Sequence, residues 1–153
     1  RHSRHAQLLD PRQRGHRVSD APSRPLPDAS ARMAPFWSAA QRGIFVLQRC
    51  ASCGHHRFPA AELCSRCLSS DLAWVEASGR GELFSFVVVH HALDPYFAGR
   101  VPYLVADVRL AEGPHVTSTL VDCPPTDARI GDALMVRFER ASDDFFLPVF
   151  RRV

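Results

Sequence analysis

From Gly79 onward, apolar and polar residues trade places every one or two positions, in short runs broken by turn residues. That period marks strands that bury one face. Tyr103–Leu110 alternates most cleanly, with Leu104, Ala106, Val108 and Leu110 on one side and Tyr103, Asp107 and Arg109 on the other. Ala133–Arg140 likewise sets Leu134, Val136 and Phe138 on one face. Leu83–His91 is apolar on both faces. Read as an uninterrupted strand, it points Phe84, Phe86 and Val88 inward and Leu83, Val87 and Val89 outward, where a second module or a partner must cover them. His115–Asp122 reads as a Thr/Ser-rich strand after the turn Glu112-Gly113-Pro114, and Asp127–Ile130 as one helical turn before Gly131. Phe145–Phe150 is a last strand whose Pro148 suits an edge or terminal position. Five strands with no βαβ unit between them predict a small Greek-key barrel of the OB type.

Upstream the pattern changes. Residues 1–32 are polar and Arg-rich, with Pro at 11, 22, 25 and 27 and no apolar stripe at either period. Such a stretch cannot offset the entropy of ordering and reads as a disordered leader. Met33–Arg42 then reads as a short helix: Pro35 suits its first turn, Arg42 its last, and Gly43 its cap, with Phe36, Trp37 and Ala40 as the apolar side.

Between helix and strands lie Cys50, Cys53, Cys64 and Cys67, spaced C-x2-C-x10-C-x2-C. Each pair lets two thiolates from one tight turn grip one ion, and two such knuckles complete a tetrahedral S4 site. Gly54 follows the first knuckle, where the lack of a Cβ lets backbone N–H groups turn toward sulfur. With no secretory signal, a disulfide framework is disfavoured, and two pairs without a βαβ pattern do not make a redox C-x-x-C. Four thiolates leave no open coordination position, so the ion expected here is a structural Zn2+, with iron as the other candidate. His55 and His56, just behind the first knuckle, are expected to be surface or supporting residues, and Cys123 a free, partly buried thiol. The fold class is therefore mainly β: a short N-terminal helix, a rubredoxin-like zinc ribbon, then a five-stranded OB-fold barrel. The expected boundaries are 1–32 for the leader, 33–78 for helix and ribbon, and 79–153 for the barrel.

Composition narrows the chemistry. The chain has no Lys; all 19 basic residues are Arg. That removes Schiff-base catalysis and a phosphate-loop lysine. Residues 1–35 carry seven Arg against three Asp, whereas residues 36–153 carry twelve Arg against thirteen acidic residues. The net charge of +3 thus belongs to the leader, and the barrel lacks the basic surface that a nucleic-acid binder needs. Single-stranded nucleic acid on the OB face is the alternative reading, and a partner of that kind is not expected. No apolar run is long enough for a membrane helix, and a cytoplasmic location is expected. No G-x-S-x-G, H-E-x-x-H or Gly-rich phosphate loop occurs.

The run APFWSAAQRGIFVLQRCASCGHHRFPAAELCSRC, followed by SSDLAWVEASGRGELFSFVVVHH and VPYLVADVRLAEGP, resembles the DUF35 family. The likeness covers about residues 24–153 and includes RPLPD before the helix, FP at 58–59, DARIGDAL at 127–134 and LPVFR at 147–151. It departs at Leu68, where the family usually has Gly, so a less regular second knuckle is expected. Residues 1–17 have no counterpart in the family.

The resemblance implies a zinc-ribbon OB-fold protein that is not catalytic by itself. It implies work beside a thiolase-like enzyme (ketothiolase, lipid-transfer-protein-type aldolase or acyltransferase) or a hot-dog-fold enoyl-CoA hydratase, and a hold on the CoA part of an acyl-CoA. On that reading the loop His90–Tyr103 supplies contacts to CoA or partner through His90, His91, Tyr96, Phe97 and Arg100, because Arg pairs with phosphate and aromatics stack on adenine or line the pantetheine path. Phe36 and Trp37 are the candidate anchors on the helix.

Overall fold

The computed structural model describes residues 23–27 and 30–153. The helix α1 spans Ala34–Ala40, with Pro35 in its first turn. Its end is closed by Gly43 at φ +72°, which lets the N–H groups of Arg42 and Ile44 both reach the Ala39 carbonyl, at 2.9 and 3.0 Å. Three strands follow, β1 (Val46–Cys50), β2 (His56–Arg57) and β3 (Leu72–Glu76), paired antiparallel in the order β2-β1-β3.

The remaining strands are β4 (Arg80–Val89), β5 (Tyr103–Leu110), β6 (His115–Leu120), β7 (Ala133–Arg140) and β8 (Phe146–Arg152). They close into a barrel in the order β4-β5-β6-β8-β7, the five-stranded OB arrangement expected from the pattern. Closure occurs at Gly81, which pairs with Leu110 on one side and Leu134 on the other. A Cβ there would lie 2.7 Å from both the Arg109 carbonyl oxygen and Val108 Cγ1, so only glycine allows β4 to serve both neighbours.

The last strand is not an edge strand. It pairs with β7 from Arg140↔Phe146 to Leu134↔Arg152. Pro148 is tolerated because its carbonyl faces β6 and accepts from Ser118 Oγ at 2.7 Å. The N and O of a strand residue face the same side, so the missing N–H falls toward β6, not toward the β7 ladder. There the pairing is reduced to Leu120↔Phe150. The helical turn expected at Asp127–Ile130 is absent. Asp127 N–H instead closes a turn on the Pro124 carbonyl at 2.9 Å, and the Asp132 carboxylate caps the Arg129 N–H at 2.9 Å.

The first barrel strand also departs from its expected phase. The β4–β5 register shifts between Leu83 and Ser85, so Leu83 faces Val108 while Ser85 faces Asp107. One extra residue reverses the alternation. Leu83 therefore belongs to the core, and Phe84 turns outward with 47% of its surface exposed. Beyond the bulge, Phe86 and Val88 pack inward against the core as expected, and Val87 stays outside at 59% exposure.

A single apolar cluster joins the ribbon to the barrel. Phe36, Phe45 and Leu47 from the first part pack with Leu83, Leu104, Val108, Leu134 and Phe150 from the second. Part of the expected leader also lies on this body: Arg24 pairs with Glu139 of β7 at 3.6 Å. Residues 1–22, 28 and 29 of that leader fall outside the described residues.

Candidate metal centre and binding clefts

The two knuckles come together. The sulfurs of Cys50, Cys53, Cys64 and Cys67 all lie within 4.8 Å of one another, with Cys50–Cys67 and Cys53–Cys64 at 3.6 Å. A tetrahedron with metal–sulfur bonds of about 2.3 Å has edges of about 3.8 Å, so the four thiols match the donor set of one S4 ion. The knuckles repeat one geometry. Gly54 N–H bonds the Cys50 carbonyl at 2.8 Å, and Leu68 N–H bonds the Cys64 carbonyl at 2.9 Å. Arg66 N–H points at Cys64 Sγ, 3.4 Å away.

Without a cation the four thiols compete for charge. Burial pushes the Cys50 thiol up, but N–H groups of Cys53 and Ser52 and the neighbouring thiols outweigh it and hold it at about 6. The Arg66 N–H is the main cause that lowers Cys64. At Cys67 the Ser69 N–H favours the thiolate, yet the other three thiols and burial together push it up to about 12. A set of sulfurs that crowd one another this way is completed by a cation, which lets all four ionise. His55 and His56 stand outside this cluster, and Cys123 is a free thiol away from it.

The loop after β4 contains a one-turn 3-10 helix, Pro95–Phe97. Asp94 caps it by accepting from Tyr96 N–H at 2.8 Å, which commits that carboxylate to the turn. Phe97 stacks on Tyr103 with centroids 5.0 Å apart, and Tyr96 meets Phe97 edge-on. Arg100 lies over the Tyr96 ring, 3.9 Å from its centroid, and also donates to the Tyr96 carbonyl. Tyr96, Phe97, Arg100 and Tyr103 line a cleft of about 160 Å³ with Arg24, Thr119 and Glu139. His90 and His91 are exposed at the end of β4 and do not line this cleft. The loop thus gathers three of the five residues expected to make contacts, and leaves the two histidines out.

On α1 the two candidate anchors separate. Phe36 has no exposed surface; it contacts the rings of Trp37, Phe45 and Phe58 at centroid distances of 4.9, 5.7 and 5.1 Å. It is a core residue, which corrects its expected place at an interface: the helix turns this ring down between ribbon and barrel. Trp37 is half-buried and packs on Phe145, 4.6 Å between centroids.

Residues 37–73 match the family described as ChsH2, rubredoxin-like zinc ribbon domain, and residues 74–139 match ChsH2, C-terminal OB-fold domain. A DUF35 domain-containing scaffold protein of Methanocaldococcus jannaschii is 35% identical over 105 residues, covering 68% of this chain and 74% of that protein. The chain belongs to the DUF35 family. A protein of Thermomonospora curvata named probable enoyl-CoA hydratase alpha subunit is 38% identical over 128 residues, or 84% of this chain. This chain spans only 40% of that relative's length. Among solved structures, a chain of the Ltp2-ChsH2(DUF35) aldolase superposes with a TM-score of 0.76 at 36% identity, covering 83% of this chain and 98% of that one.

Within this DUF35 chain the expected irregularity at the second knuckle is absent. Leu68 takes φ +61°, beside +74° at Gly54, so the turn is regular and the side chain bears the strain. A left-handed backbone costs an L-residue about 1–2 kcal/mol. Leu68 is 73% exposed, so trimming it loses little packing. Leu68→Gly is therefore expected to raise the melting temperature of the metal-loaded protein by about 1–3 °C once glycine's unfolded-state entropy is subtracted. Gly54→Leu should lower it. Thermal melts of the two variants check the pair of signs.

Two features of the surface escaped the sequence pattern. Phe84 reaches the surface only because of the bulge, which no residue type in Leu83–Ser85 announces. Arg24 enters the cleft although its composition assigned it to the leader; RPLPD ahead of the helix was the available signal.

Proposed function

We propose that this chain is a non-catalytic accessory subunit that docks onto a thiolase-like or hot-dog-fold hydratase partner and holds the CoA part of an acyl-CoA. The observation that carries the reading is the outer face of β4, where Phe84 and Val87 stand exposed on a barrel whose inward positions are filled. Exposed aromatic and aliphatic groups on a small barrel are the usual anchors of an interface. The relatives support the same direction, being named scaffold protein, hydratase alpha subunit and part of an aldolase. The ion in the ribbon is zinc in this reading, with a purely structural role, and the setting is cytoplasmic.

The Tyr96–Arg100–Tyr103 cleft suits the CoA end. Aromatic faces accept adenine, and Arg100 has N–H donors beyond the one spent on Tyr96 with which to meet phosphate. Oligonucleotide binding is less well supported: residues 36–153 carry twelve Arg against thirteen acidic residues, which gives the backbone phosphates no basic stripe to follow.

Val87→Glu tests the docking face. Because the side chain is exposed, the substitution should leave the melting temperature within about 1 °C, yet burying its charge at an interface should weaken capture of a thiolase or hydratase subunit at least tenfold. Equal capture by the wild type and Val87→Glu would remove this face from the assembly.

A further inference from the structure

Two clefts run along one side of the molecule and meet at Arg24. The first holds Tyr96, Arg100 and Tyr103. The second, about 360 Å³, lies between α1 and the reduced β6–β8 seam, with Trp37, Phe58 and Leu147 as apolar walls and Ser118 in its floor. Arg24 and Thr119 line both. Thr119 is fixed in β6, whereas Arg24 belongs to a segment with few ties. Among the described residues, the backbone of 23–27 makes no hydrogen bond to the barrel, and Pro25 and Pro27 have no N–H to give. The charged tie is the 3.6 Å pair with Glu139. The Arg24 side chain is only 17% exposed, and this ion held by one carboxylate lines both clefts.

Trp37, one wall of the second cleft, also carries an unmet donor. Trp37 Nε1 is buried and has no hydrogen-bond partner. A buried indole N–H ordinarily finds an acceptor, and because this one is sealed in the closed state an amide carbonyl would reach it only once the groove opens.

We propose that Arg24 is a gate: its release from Glu139 joins the Tyr96–Arg100 cleft to the Trp37–Phe58 groove, and one extended ligand with a phosphate-bearing head and an amide-bearing apolar arm then occupies both. This rests on the acyl-CoA reading above and adds its regulation. The closed state holds the arm's path shut by one partly buried ion pair, and any event that draws Arg24 away, such as a partner's carboxylate, opens it.

The test uses the full chain on a Trp74→Phe background, which leaves Trp37 as the only tryptophan. Acrylamide quenching of Trp37 reads the gate, and calorimetric titration with octanoyl-CoA reads the ligand. Arg24→Ala should about double the quenching and tighten octanoyl-CoA binding about three- to tenfold. Glu139→Gln, which loosens the pair from the other side, should move both readings the same way. The swap Arg24→Glu with Glu139→Arg should return both toward the starting values. Unchanged quenching in Arg24→Ala, or weaker octanoyl-CoA binding, overturns the gate. Raised quenching with no octanoyl-CoA binding by any variant supports the gate and removes the acyl-CoA reading.

Discussion

Cys64→Ser is expected to bring the metal content from one ion per chain to near zero and to unfold the ribbon. Cys64 is fully buried, its sulfur faces Cys53 at 3.6 Å, and it receives the Arg66 N–H. Serine keeps the size but supplies no thiolate, so the three remaining sulfurs cannot close a tetrahedron. A structural zinc contributes about 10–16 kcal/mol of apparent binding energy at neutral pH, more than a three-stranded sheet with a two-residue edge strand could replace. The barrel closes on its own strands and should stay partly intact, at lowered stability because Phe45 and Leu47 leave the shared core. Elemental analysis combined with amide exchange reads both halves of this. The N–H groups of Gly54 and Leu68, which report the two knuckles, should lose protection while those of β5 and β6 keep it. Cys123→Ser, away from the cluster, should leave the metal in place. A Cys64→Ser protein with a full complement of metal and protected knuckles would contradict the assignment.

Phe36→Ala is the second large effect. The ring is wholly buried at the meeting of helix, ribbon and barrel, where it touches Trp37, Phe45 and Phe58. Truncating a buried Phe costs about 3–5 kcal/mol, because the cavity collapses only in part. For a chain of this size that is a fall of about 10–15 °C in melting temperature. The loss should appear in the isolated protein, with metal bound and no partner present. A variant of unchanged stability that no longer binds its partner would return Phe36 to the interface.

Elements whose side chains alternate without interruption were legible in the sequence. Tyr103–Leu110 and Ala133–Arg140 have the bounds their patterns predict, since each turns one apolar face to the core and a slip of register would turn it out. The knuckles were legible because metal ligation fixes both residue type and spacing. Leu83–Ser85 was not. A bulge adds one residue without a compositional mark, and Leu83 and Phe84 exchange faces as a result. Phe36 is expected as an interface anchor because a seven-residue helix beside an Arg-rich stretch gives no sign of what will cover it. Pro148 suggests an edge or terminal strand; β8 is the terminal one, and the orientation of the proline's missing N–H toward the seam lets it sit between two strands. The clefts were the least legible part, since Arg24, Tyr103, Thr119 and Glu139 come from four separate stretches that only barrel closure brings together.

Acyl-CoA turnover measured with purified components tests the accessory reading most directly: this chain alone, the thiolase or hydratase subunit that co-purifies with it, and the two together. The account predicts no turnover by the chain alone and a rate for the pair well above that of the partner alone. Turnover by the isolated chain, or a partner whose rate and assembly are indifferent to its presence, would contradict it.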